Sequence, residues 1–256
     1  MNELALALRQ VRYQNRAFWR NPAAAFFTII FPLIFLVLFN LIFSDDELPV
    51  RGATRTSAFY VPAIAALSVI NGSYTGLATS LLVARDNGLL KRTRGTPLPA
   101  WAFLFGRIAH MNLMTLLVVV IVTAAGALFY DVDVPTTTLP AFALALVVGT
   151  TTFASLAFAI ASFIPNVNAG GPILNVTTFP LMFISDVFLP SDDMPDWLGA
   201  VGEFFPLKHL SLALQTAFNP FETGAGFELA HIAVVAVWGA AGLLVAARYF
   251  TWEPRL

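Results

Sequence analysis

The chain has 256 residues and a formal net charge of −1, and it is 58% hydrophobic and only 11% charged, against roughly 25% charged residues in an ordinary soluble domain. A water-soluble fold of this size could not hide that much apolar surface, so the bilayer must be the solvent. The near-zero charge gives no signal for nucleic acid, the absence of cysteine excludes disulfides and thiolate metal sites, and His110, His209 and His231 are scattered without metal-ligand spacing.

Several uncharged runs of about 20 residues match the length a helix needs to cross about 30 Å of hydrocarbon. Their apolar character is continuous rather than alternating, which argues against barrel strands. The expected class is therefore an all-α integral membrane protein.

Residues 4–20 read as an interfacial helix. Arg9, Arg12, Arg16 and Arg20 recur at steps of three and four, while Leu4, Val11 and Phe18 recur at seven on the other side, a pattern suited to anionic headgroups. The alternative is a plain positive flank that orients the first span. With four arginines ahead of the first apolar run, this is not a cleavable signal peptide. Asn21-Pro22 then restarts the helix, with Asn as cap and Pro in the first turn.

Six spans are expected, at 24–43, 58–83, 101–130, 139–164, 171–189 and 229–250, with kinks at Pro32 and Pro180. Arg85, Lys91, Arg92, Arg94, Arg107, Arg248 and Arg255 fall on the side of the N-terminal arginines, against only Arg51, Arg55 and Lys208 on the other. The positive-inside rule then puts both termini and the 84–99 loop in the cytoplasm. Asp45, Asp46, Glu47, Asp131, Asp133, Asp186, Asp192, Asp193, Asp196, Glu203, Glu222 and Glu228 lie on the far side. Within 190–218, Trp197, Leu198, Val201, Phe204 and Phe205 have helical spacing, as do Leu207, Leu210, Leu214 and Phe218. Two short amphipathic external helices, partly re-entering the membrane, would bury those faces.

No enzyme motif stands out: there is no GxxxxGK[ST] phosphate loop, no GxSxG elbow and no HExxH. The spans are nearly free of ions, with Arg107 close enough to an end to snorkel and His110 read as a helix-packing hydrogen-bonder. That argues against a proton-driven antiporter, a voltage-gated channel or a self-contained membrane enzyme. Energy should come from elsewhere. Hydroxyl and amide side chains such as Asn71, Tyr74, Thr75, Asn175, Thr177 and Thr178 either glue helices together or wall a pathway.

Two stretches carry a family resemblance. ARDNGLLKRTRGTPLP (84–99) and FPLMFISDVFLPSDDMPDWLGAVGEFFPLKHLSLALQ (179–215) resemble the permease subunits of ABC type 2 exporters, in particular the daunorubicin-resistance-like drug and lipid exporter group. The first stretch has that family's charged residues, Gly, apolar pair, basic pair and closing Thr-Pro-Leu. The second has its Pro-Leu, Phe-x-Pro, Pro-x-Trp-Leu and Pro-Leu series. Asp86-Asn87 stands where members often carry two glutamates, and Asp186 where Gly is usual.

The resemblance implies a single transmembrane domain over 1–256, with an N-terminal interfacial helix, six transmembrane helices and a coupling segment between spans two and three. Arg85, Asp86, Leu89, Leu90, Lys91, Arg92 and Arg94 would meet a separate ATPase subunit, present in two copies. It also implies a second permease copy or a similar permease, no cofactor in this chain, and ATP and magnesium on the partner ATPase. The expected place is a bacterial plasma (inner) membrane, and the expected activity is outward movement of an amphipathic drug or lipid, with polysaccharide, heme or an ion as alternatives. The substrate path is placed at Asn71, Tyr74, Asn175, Thr178, Phe179 and Phe183.

Overall fold

The computed structural model describes residues 3–42, 56–134, 136–188, 195–219 and 224–253. The expected span ends Phe43 and Leu189 lie outside them, as do residues 190–194, Arg51, Arg55, Arg255, Asp45, Asp46, Glu47, Asp192, Asp193 and Glu222.

Helix α1 covers Glu3–Trp19 and α2 covers Pro22–Ile42. Asn21 caps α2 as its sequence suggests, its Oδ1 accepting from the Ala24 N–H at 3.2 Å. Next come α3 (Thr56–Val69), a π-helical stretch (Ile70–Gly76) and α4 (Leu77–Asp86), which together form one rod. The short α5 (Leu89–Arg94) leads to the long α6 (Ala100–Tyr130), and α7 (Leu139–Ala161) is followed by α8 (Val167–Phe183). Last are α9 (Asp196–Phe204), α10 (Pro206–Phe218) and α11 (Leu229–Tyr249). There is no strand among the described residues.

Each expected span coincides with a helix, but the helices differ in reach. Among the described residues five are long and apolar enough to cross a membrane: Pro22–Ile42, Phe59–Asp86, Trp101–Tyr130, Leu139–Ala161 and Leu229–Tyr249. Helix α8 has 17 residues, about 25 Å, somewhat short of the roughly 20 residues of a full crossing. It also starts ahead of the expected 171, because Asn166 caps it, accepting from the Ala169 N–H at 3.0 Å.

The α3–π–α4 rod is the axis of the bundle. Every residue from Phe59 through Val69 of α3, and Ile70 after it, is buried, and the alanines Ala63, Ala65 and Ala66 let neighbours approach on all sides. Lipid tails are as apolar as Leu, so such helices associate through close packing and polar contacts rather than hydrophobic expulsion. The α7–α11 pair illustrates this. A Cβ on Gly239 would sit 2.6 Å from Thr152 Oγ1 and one on Gly242 3.1 Å from the Leu156 backbone N, and Thr152 Oγ1 donates to the Val235 carbonyl at 3.0 Å.

Helix α1 lies along α6, with Gly106 packed on Gln10 and Ala7 fully buried. Its arginines Arg9, Arg12 and Arg16, and Arg20 just after it, are exposed; Val11 and Phe18 are half-buried, but Leu4 is exposed, so the apolar stripe is narrower than its spacing suggests.

Of the two external helices, α10 buries the expected Leu207, Leu210, Leu214 and Phe218. Leu210 lies against Gly149, midway along α7. At the α9–α10 turn the Phe204 carbonyl accepts from Trp238 Nε1 at 3.1 Å, about 14 Å along α11 from Leu229. The hairpin thus dips between the spans and climbs back. By contrast Trp197, Val201 and Phe204 of α9 are exposed.

The two ends of the bundle differ in charge. One gathers α1, α5 and residues 250–253, since Phe103 meets Trp252 and Lys91 faces Glu253. The other gathers residues 131–134, 136–138, 184–188 and 224–228, since Thr138 donates to the Ala217 carbonyl and Gly226 packs on Thr138.

Candidate coupling segment and membrane cavity

The candidate coupling segment, residues 84–99, is built on a reversal. Helix α4 ends at Asp86, and Gly88 takes φ 68°, a left-handed conformation that costs a side-chain-bearing residue roughly 1–2 kcal/mol. Helix α5 therefore turns sharply away. Leu90 is buried (1% exposed) and anchors α5 to the core, while Leu89, Lys91, Arg92 and Arg94 stay exposed. Thr93 Oγ1 bonds the Leu89 carbonyl and Thr96 Oγ1 the Thr93 carbonyl, at 2.9 and 2.6 Å, finishing the last turn. A groove of about 320 Å³ runs between α1 and this segment, bounded by Gln10, Tyr13, Leu89, Thr93, Pro97 and Leu98.

Arg85 does not belong to this surface. It is 2% exposed, with Nη1 2.9 Å from the Ala161 carbonyl and Nη2 2.7 and 3.0 Å from those of Ile164 and Pro165. The expectation that it meets acids on a partner is corrected: its guanidinium is engaged at the end of α7, where a helix leaves carbonyls without intrahelical donors. Its neighbour Asp86 does the complementary thing. Asp86 Oδ2 accepts from the Val167 N–H at 2.7 Å, capping the start of α8, while Oδ1 is 3.6 Å from Arg85 Nε. Two consecutive residues thus grip the joint between α7 and α8 from behind α5.

The six expected path residues are divided by the π-helical stretch. Asn71 turns toward a cavity between α1, α2, the rod and α6. Tyr74 turns to α8, its hydroxyl 3.1 Å from Thr177 Oγ1, and Thr75 Oγ1 is 3.4 Å from Thr178 Oγ1. Tyr74 and Thr178 therefore tie two helices together, as the packing alternative requires. Asn175, Phe179 and Phe183 form an exposed face of α8, with the Phe183 ring 5.3 Å from Phe188.

The cavity was not foreseen. It measures about 530 Å³, and Arg107 is in its wall at 8% exposure instead of snorkelling to an end. Arg107 Nη1 donates to Ser80 Oγ at 2.7 Å, and its guanidinium lies 5.2 Å over the Phe103 ring. His110, one turn further along α6, is 3% exposed. The sequence carried a trace of the site, an Arg and a His three apart inside an apolar run, but not the depth at which α1 covers them.

Asp186 has φ 54°. A left-handed backbone explains why Gly suits this position, and Asp is among the few other residues that tolerate it. Its carbonyl accepts from Ser211 Oγ and Gln215 Nε2, each at 3.0 Å, which pins the end of α8 to α10.

Comparison with known proteins is consistent with this architecture. The family model for ABC-2 type transporters matches residues 7–219, from α1 through α10. The chain is 26% identical over 195 residues to the protein named as transport permease ycf38 of Porphyra purpurea, covering 75% of this chain and 66% of that one. It is 22% identical over 190 residues to the one named as transport permease YvfS of Bacillus subtilis (strain 168), covering 74% and 76%. The match thus spans about two thirds of the length of the Porphyra relative. With the family match covering most of the sequence, the chain belongs to the ABC-2 type transporter family, as a permease subunit.

Proposed function

We propose that this permease works in the plasma (inner) membrane of a bacterium as one of two copies, or beside a similar permease, with two copies of a separate ATPase subunit, and exports an amphipathic drug-like or lipid-like molecule. Both termini and α5 lie on the cytoplasmic side: the described end bearing α1 and α5 holds Arg9, Arg12, Arg16, Arg20, Lys91, Arg92 and Arg94, while Lys208 is the cation at the other described end.

The observation that carries the reading is the exposed set Leu89, Lys91, Arg92 and Arg94 around the buried anchor Leu90, continuous with the Arg85–Asp86 grip on the α7–α8 joint. ATP and magnesium bind the partner ATPase, whose closure pushes α5. Arg85 and Asp86 pass that motion to α8, so Arg85 contributes from behind the contact and the exposed residues contribute in it. The path runs along the face of α8 with Asn175, Phe179 and Phe183, backed by Tyr74 and Thr178 and reaching Asn71. Its aromatic surface and the shortage of ions favour an amphipathic cargo.

The test is a reconstituted complex carrying Arg92→Glu. Placing an acid against an acidic partner surface costs association without touching the fold. The expected result is normal insertion with substrate-stimulated ATP hydrolysis lost; unchanged stimulation would remove α5 from the ATPase contact.

A further inference from the structure

Arg107 is a cation held deep in the bundle with incomplete partners. Its Nη1 reaches Ser80, but Nε has no hydrogen-bond partner among the described residues, and no carboxylate there pairs with it. His110 Nδ1 is also without a partner, although both residues are more than nine-tenths buried. Buried polar atoms are bonded in the great majority of cases, and an unpaired charge within a span is costly. Two such groups, three apart on one helix face, border the same cavity of about 530 Å³, within the roughly 300–1,000 Å³ of small-molecule sites.

The rest of the wall selects the ligand. Arg107 lies about 10 Å along α6 from Ala100, on the end where the α1 arginines cluster. Beyond it the lining is mostly apolar, with Phe27 and Phe31 of α2 and Met111, Met114 and Val118 of α6, interrupted by Thr28, Ser68, Asn71, Thr75 and Thr115. Ala17, Asn21 and Phe27 border the cavity and are also exposed, so it has a way in between α1 and α2. A fixed positive charge rejects cations, and an apolar wall gives a small inorganic anion little to hold.

We propose that this cavity binds an anionic amphiphile, a molecule with one phosphate or carboxylate head and an aliphatic tail, whose head accepts hydrogen bonds from Arg107 and His110 while its tail lies between α2 and α6. The site stands on its own contacts and does not depend on the transport reading or on the α8 path. It serves equally for a resident lipid of the inner leaflet or for a molecule on its way out; the head and tail chemistry is shared.

Native mass spectrometry of the purified full chain in detergent tests this, with phosphatidic acid compared against phosphatidylcholine of the same acyl chains. One charge-assisted hydrogen bond of about 1.5–3 kcal/mol corresponds to a preference of roughly 10- to 100-fold. Wild type is expected to retain one phosphatidic acid with at least about tenfold preference, and Arg107→Gln to lose that preference. Gly72 borders the cavity, and a Cβ there would meet nothing within 4 Å. Gly72→Leu therefore adds bulk to the cavity while keeping Arg107 in the chain, and should abolish binding even if Arg107→Gln does not fold. No preference in wild type, or a preference that survives Gly72→Leu, overturns the proposal. Two arms separate the sources. Anionic lipid that co-purifies without addition identifies a resident lipid; a site that takes up added dodecyl phosphate only on titration identifies an exchangeable molecule. Binding of inorganic phosphate as tight as dodecyl phosphate would refute the amphiphile.

Discussion

Replacing Arg85 by Met keeps an unbranched stem and removes the guanidinium. Three contacts of 2.7–3.0 Å go with it, and hydrogen bonds from a charged group are worth about 1.5–3 kcal/mol each. They come from the two Nη atoms of one guanidinium and so do not add independently, and water at the nearby membrane surface can recover some of the freed carbonyls. A net loss of about 3 kcal/mol follows, the low end for breaking a buried charged contact, or roughly a hundredfold in the folded-to-unfolded ratio. Arg85→Lys, with a point charge in place of a planar fork, should recover only part of it. Lys91→Ala is the internal control: its 4.0 Å pair with Glu253 has both side chains more than half exposed, and such pairs contribute about 0–1 kcal/mol. Equilibrium SDS titration of the three variants in detergent micelles measures the series. If Arg85→Met is no less stable than Lys91→Ala, the guanidinium is not holding the α7–α8 joint and the reasoning fails.

Gly239→Val should separate α11 from α7, because the new Cβ falls 2.6 Å from Thr152 Oγ1 and 3.3 Å from its Cα; a loss of about 2 kcal/mol or more is expected in the same titration, and an unchanged midpoint would contradict the close approach. Since the native chain has no cysteine, orientation is read from single cysteines at two exposed positions: Ala200→Cys should react with a membrane-impermeant thiol reagent in intact cells and Arg94→Cys only after permeabilisation, and the reverse pattern would invert the topology. Phe183→Ala and Asn71→Ala, at normal protein level, should change which substrates the reconstituted complex transports; equal losses for every substrate would leave these residues a packing role alone.

The spans were legible because transfer into lipid is decided by local composition, which a sequence displays directly, and Asn21-Pro22 fixed the start of α2 for an equally local reason. What was lost depends on distant chain. Arg85 and Arg92 look alike in a basic segment; only the carbonyls of Ala161, Ile164 and Pro165, far along the chain, make one an internal tie. The helical spacing of Trp197 to Phe205 is as regular as that of Leu207 to Phe218, yet α10 alone finds α3 and α7 to cover it. The π-helical stretch has no pattern of its own, and it decides that Asn71 and Tyr74, both read as path residues, point to different neighbours. Arg107 was misjudged because its distance from the span end was readable and the cover of α1 was not.

The adjacency of Arg85 and Asp86 also sets an electrical index. The end of α7 is a negative pole and the start of α8 a positive one, and the chain offers each its opposite charge from neighbouring positions on a single helix. A slip of α4 by one residue would present Asp86 to carbonyl oxygens and take Arg85 out of reach of them. The joint therefore tolerates translation of all three helices together and resists sliding among them, so a push on α5 is delivered as displacement of a unit and is not dissipated as shear.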